Sequence, residues 1–166
     1  MTHMDCSAHC IGEFAEEKTV KYSEGIFVGY RYYDTEHKKV LFPFGYGLSY
    51  TEFQYGNMKV TGNYPDVTVS VDVTNIGDME GKEIVEIYVG KKDSEVERAA
   101  RELRGFEKLS LKPGETKTAQ IRLDADAFTY YDEKIHGFVT EFGTYQIYAG
   151  KSVENICCEV EIDLKL

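Results

Sequence analysis

Beyond Thr51 the chain alternates apolar and polar residues in short runs, with turn residues between the runs at intervals of roughly ten. The clearest run is 66–73, where Val67, Val69, Val71 and Val73 alternate with polar residues. Successive side chains of a strand point to opposite sides, so the four valines line one face. The same reading predicts strands over 53–60, 83–89, 101–109, 116–123, 144–149 and 156–164, with turns at Asn75-Ile76-Gly77, Lys112-Pro113-Gly114-Glu115 and Phe142-Gly143. No convincing amphipathic helix interrupts them. Seven short strands of this kind predict an all-β fold, an antiparallel β-sandwich over residues 51–166.

Gly143-Thr-Tyr145-Gln-Ile147-Tyr-Ala149 sets a tyrosine at the beginning of a late strand just after a turn. Sandwiches of the immunoglobulin and fibronectin type III class place a tyrosine corner there, its hydroxyl bonded to nearby backbone. That role is expected of Tyr145, the alternative being a plain core aromatic. Cys157 and Cys158 are adjacent on a strand, so at most one of them points into the core.

Residues 22–50 have a different texture. Eleven of the chain's 22 aromatic residues fall between Tyr22 and Tyr55, and Pro43, Gly45 and Gly47 break any regular element late in the stretch. An aromatic-rich irregular strap needs a surface to lie on, because exposed apolar area is unfavourable by about 25 cal/mol per Å². Ile26, Phe27, Val28, Tyr30, Tyr32, Leu41, Phe42, Phe44, Tyr46 and Leu48 are the expected contact residues of this strap. It would fold back on the sandwich, self-associate into a homo-oligomer, or dock on a separate chain; in the plainer alternative, its aromatics complete the sandwich core. Residues 1–21 are expected to form a poorly ordered tail.

Composition narrows the chemistry. Nineteen Lys and Arg against 29 Asp and Glu give a net charge of −10, which leaves no broad basic footprint for nucleic acid or anionic membrane. No basic-then-apolar leader is visible at the start, so a cytoplasmic location is expected. The spacing of Cys6, Cys10, Cys157 and Cys158 is not that of a secreted disulfide scaffold, and reduced thiols are expected. His3, Cys6, His9 and Cys10 have the side chains of zinc ligands, but without a second paired knuckle they make no metal site, and no metal or cofactor is expected. No nucleophile elbow accompanies the histidines. Gly45-Tyr46-Gly47 lacks both the third glycine and the following helix of a phosphate cradle. Arg98, Arg101, Arg104 and Lys108 are interleaved with Glu95, Glu97, Glu102 and Glu107 and read as a solvated strand surface. Asp124 and Asp126 read as turn acids.

Two segments, Tyr22-Ser-Glu-Gly-Ile-Phe-Val-Gly-Tyr-Arg-Tyr-Tyr-Asp34 and Phe42-Pro-Phe-Gly-Tyr-Gly-Leu-Ser-Tyr-Thr51, resemble the stretch of family 3 glycoside hydrolases, the β-glucosidase group, that leaves the catalytic part and enters a C-terminal fibronectin type III-like domain. The likeness continues through Val73-Thr-Asn-Ile-Gly77, Gly81–Val89, Glu102-Leu-Arg-Gly-Phe-Glu-Lys108, Leu111-Lys-Pro-Gly-Glu115 and Ala127-Phe-Thr-Tyr-Tyr-Asp132. It implies an accessory domain with no catalytic residue of its own. The family's nucleophile lies in a Ser-Asp-Trp motif, and this chain has no Trp; Ser23-Glu24-Gly25 is not the family's acid/base context. The implied partners are the catalytic domains of a glycoside hydrolase, in cis or in trans. Two other functions compete with this one: a carbohydrate-binding module using Tyr130, Tyr131 and Phe138 as stacking rings, and a small independent hydrolase using a pair of carboxylates in a cleft.

Overall fold

The structure, a computed structural model, describes residues 24–165. The expected tail, with His3, Cys6, His9 and Cys10, lies outside the described residues. The chain enters through a short helix α1 (Tyr30–Thr35) and then forms nine strands: β1 (Phe53–Asn63), β2 (Asp66–Asn75), β3 (Gly81–Lys91), β4 (Glu102–Leu111), β5 (Thr116–Leu123), β6 (Thr129–Asp132), β7 (Gly137–Thr140), β8 (Gly143–Gly150) and β9 (Ile156–Leu164). Seven of them build an antiparallel sandwich, with β1-β2-β5 as one sheet and β4-β3-β8-β9 as the other. β6 and β7 pair as a separate hairpin.

The inward faces follow from period-two alternation. Val67, Val69, Val71 and Val73 of β2 are all buried, as are Ala119, Ile121 and Leu123 of β5. They meet Val85, Ile87 and Val89 of β3, Leu109 and Leu111 of β4, and Tyr145, Ile147 and Ala149 of β8 in one core. On β9 the alternation sends Cys158 inward against that core and leaves Cys157 exposed. Both are free thiols.

Asn75, at the end of β2, is completely buried and fully satisfied. Its amide oxygen accepts from the Thr51 hydroxyl at 2.6 Å and from the Gly77 N–H at 3.1 Å, and its amide nitrogen donates to the carbonyls of Met79 at 2.7 Å and Leu111 at 3.0 Å. One side chain thus ties the chain's entry into the sandwich to both sheets.

Three features depart from the alternation pattern. The first part of the strap is helical at α1 instead of irregular. Thr129–Asp132 begins a hairpin, reached through a short 3-10 turn (Ala125–Phe128) in which the Asp124 carboxylate accepts from the Asp126 N–H. In β4 the register slips, Gly105 facing Ile87 while Leu103 faces Tyr88. Arg104 is the extra residue of that bulge, and a bulge re-aims the side chain it carries.

Candidate functional site

The strap is held on the outer face of the four-stranded sheet. Helix α1 is only six residues long and has no side-chain cap, so its conformation depends on what it touches. The Tyr30 hydroxyl accepts from the Leu103 N–H at 2.8 Å, and its ring stacks on Phe44 at 4.3 Å and stands edge-on to Tyr88 at 6.3 Å. Asp34 pairs with Arg101 at 2.8 Å, Arg31 with Glu102 at 3.0 Å, and the Thr35 hydroxyl accepts from the Ala100 N–H at 2.9 Å. Farther on, the Phe44 carbonyl accepts from the Val153 N–H at 3.0 Å. Gly45 sits directly over the Glu86 carboxylate with a positive φ of 85°, so neither a Cβ nor an L side chain's backbone preference fits there.

The arginines beneath this contact are not the solvated surface that their interleaving with glutamates suggests. Arg101 bonds the strap and lies 5.1 Å over the Tyr148 ring. Arg104, aimed by the bulge, pairs with Glu102 at 2.6 Å and donates to the carbonyls of Asp126 and Thr129. Arg98 donates to the Thr129 carbonyl at 3.1 Å, faces Glu141 at 3.7 Å and lies 5.8 Å over the Tyr130 ring. A planar cation with five donors can serve several carbonyls and a carboxylate at once. Arg31, Glu102, Arg104 and Arg98 therefore link the strap to the hairpin. Folding brought these groups together from distant positions, which charge counting along the chain cannot register.

Under Gly45, burial raises the Glu86 carboxyl above its ordinary value, although the bond it accepts from the Tyr88 hydroxyl works the other way. Burial likewise raises the Tyr88 phenol. Glu83, which accepts from the Tyr55 hydroxyl at 2.9 Å, is also raised by burial.

The expected strap residues divide into two groups. Phe27, Tyr30 and Tyr32 are half-buried. Leu41 at 83%, Phe42 at 70%, Leu48 at 89% and, just beyond, Tyr50 at 92% stand open to solvent, and Ile26, Val28, Phe44 and Tyr46 are also exposed. Phe42 and Tyr46 touch each other at 5.2 Å.

Tyr145 is buried, with its hydroxyl 2.6 Å from the Glu141 carbonyl and 3.0 Å from the Phe128 carbonyl, and the ring is edge-on to Phe128 at 5.2 Å. Burial raises its phenol. The three rings considered for sugar stacking do not share a face. Tyr131 opposes Phe138 across the hairpin, the two rings meeting edge-on at 5.4 Å, while Tyr130 opposes Val139 on the other side and faces Arg98. Among the described residues no group of three or more His, Cys, Asp or Glu side chains could hold a metal ion, and no helix is long and apolar enough to cross a membrane.

Comparison with known proteins agrees with this architecture. Residues 83–153 match the fibronectin type III-like domain family. The chain is similar to thermostable β-glucosidase B of Acetivibrio thermocellus, 48% identical over 145 residues that cover 85% of this chain and 19% of that enzyme. It is also similar to an exo-α-(1→6)-L-arabinopyranosidase of Bifidobacterium longum, 44% identical over 90% of this chain and 20% of the relative. Among solved structures, the family 3 β-glucosidase of Bifidobacterium adolescentis superposes with a TM-score of 0.89 at 38% identity, covering 93% of this chain and 23% of that one. The β-glucosidase of Kluyveromyces marxianus superposes with a TM-score of 0.85 at 42% identity, over 89% of this chain and 18% of that one. This chain thus spans about a fifth of the length of the relatives it matches. With its seven-stranded sandwich and the strap laid across it, the chain belongs to the fibronectin type III-like domains that β-glucosidases of glycoside hydrolase family 3 carry at their C-terminal end.

Proposed function

We propose that this chain is a non-catalytic accessory domain that braces and orients the catalytic portion of a family 3 glycoside hydrolase, docking through its strap. The observation that carries this reading is the exposure of Leu41, Phe42, Phe44, Tyr46, Leu48 and Tyr50 on a segment whose backbone and polar side chains are already tied down. At these exposures, and at roughly 200 Å² per large side chain, they leave on the order of 800 Å² open. That is about the share one partner contributes to an interface of ordinary size, and more than isolated monomers usually expose. An apolar surface fixed in place but left uncovered is a preformed half of a contact.

The relatives support a role that is independent of the sugar. Domains of similar identity accompany proteins named as β-glucosidases and as an arabinopyranosidase, which suits a brace better than a specificity determinant. The split between Tyr130 and the Tyr131–Phe138 pair, whose rings meet edge to face, gives no flat platform for a sugar chain.

The test is a chimera in which this chain replaces the matching 145 residues of the Acetivibrio enzyme. It is expected to hydrolyse an aryl β-glucoside, and the paired substitution Leu41→Ser with Leu48→Ser is expected to lower its temperature of half-inactivation. An unchanged inactivation temperature in the paired variant would dispose of the docking role.

A further inference from the structure

The outer face of the four-stranded sheet carries two apolar side chains that the sandwich leaves uncovered: Phe106 on β4, 66% exposed, and Ile84 on β3, 43% exposed. The register fixes their position. Phe106 is the cross-strand partner of Glu86, and Ile84 lies two residues before Glu86, so the three share one face. That face is turned away from the core, because Val85 and Ile87, which flank Glu86, point into it. It is also the face the strap occupies: Gly45 lies on the Glu86 carboxylate and Tyr30 meets Tyr88 edge-on. The strap therefore covers this face of β3 at Glu86 and Tyr88 and leaves Phe106 open beside it on β4. The next outward position on β4, Lys108, is charged, as are Glu159 and Glu161 on β9 at the far edge of the sheet, as a water-facing sheet surface requires. Phe106 breaks that rule.

We infer that Phe106, with Ile84 beside it, is the sandwich's own share of the docking surface, covered by the same catalytic portion of a family 3 hydrolase that covers the strap. The inference rests on the strap reading above and adds an anchor outside the strap. The occupant follows from continuity, since the strap and Phe106 meet at Glu86, and from length, since a solved relative holds this fold as 23% of a longer chain. A second copy is disfavoured as occupant, because each chain carries a net charge of −10 and two copies would repel. A solvent-exposed aromatic ring next to a larger apolar strip has the character of an interface anchor.

The experiment places Phe106→Ser in the same chimera and in the isolated chain. The expected result is a fall of about 3 °C or more in the chimera's temperature of half-inactivation, with less than about 1 °C change in the unfolding midpoint of the isolated chain. An equal fall in both would make Phe106 a fold residue and overturn the inference. No fall in the chimera, where Leu41→Ser with Leu48→Ser does lower it, would overturn the inference and leave the strap reading intact. If neither variant lowers it, both readings fail. As a second measurement, a photo-crosslinking phenylalanine analogue at position 106 of the isolated chain is expected to attach to Acetivibrio β-glucosidase B that lacks its matching stretch. Absence of that adduct, where the same analogue at position 42 gives one, would also overturn the inference.

Discussion

Replacing Tyr145 with phenylalanine removes one oxygen from the core and leaves the ring packing in place. The hydroxyl has one proton and two carbonyls within reach, Glu141 at 2.6 Å and Phe128 at 3.0 Å, and it receives a long 3.4 Å bond from Arg98. A net hydrogen bond is worth about 0.5–1.5 kcal/mol, and a buried acceptor left without a donor costs about 1–3 kcal/mol more. The ring stays edge-on to Phe128, so no cavity term is added. Tyr145→Phe should therefore destabilise the chain by about 2–3 kcal/mol. For a sandwich of this size that is a loss of roughly 6–10 °C in thermal midpoint. Urea unfolding followed by circular dichroism measures it directly, and the slope against urea should be unchanged because the exposed surface on unfolding is the same. Tyr131→Phe, at a half-exposed hairpin position, is the control and should stay within about 0.5 kcal/mol. A loss below about 0.5 kcal/mol in Tyr145→Phe would refute the claim that this hydroxyl holds the turn before β8 to the 3-10 segment.

Asn75→Ala should cost more, about 3–5 kcal/mol, because four hydrogen bonds end on that one buried amide. Asn75→Asp, which turns the amide donor toward the Met79 and Leu111 carbonyls into an acceptor, should be nearly as harmful; a urea midpoint close to wild type for either variant would count against the network. Glu86 predicts a pH dependence. Its carboxyl is raised by burial above the ordinary 4.5, so it gives up its proton less readily folded than unfolded, and stability is full below the ordinary value and declines as pH rises through the raised one. Glu86→Gln should flatten that decline in a pH series of thermal midpoints, and a decline of unchanged slope would assign it to another group, Glu83 first.

The fold was written in the alternation of side chains. Val67 to Val73 specify a face without help from the rest of the chain, because a strand has a period of two and a one-residue slip would turn every valine outward. The resemblance to the accessory domain of family 3 hydrolases was legible in the same way, in motifs that are contiguous. Even the exposed anchor leaves a trace. Leu109 and Leu111 set the inward phase of β4, and Phe106 falls on the opposite phase.

Tertiary structure decided what alternation cannot express. Helix α1 is too short to be set by its own propensity, and it takes its shape from Tyr30, Asp34 and Thr35 reaching Leu103, Arg101 and Ala100 across more than sixty residues of chain. The bulge at Arg104 depends on the slip between β3 and β4 and aims Arg104 at the Asp126 and Thr129 carbonyls; Arg98 reaches the same Thr129 carbonyl, and Arg101 holds the strap through Asp34. The pairing of β6 with β7 separated Tyr130 from Tyr131 and Phe138, since neighbours along a strand face opposite ways. Local patterning settles which side of a strand is wet; only the closed fold settles which distant groups share it.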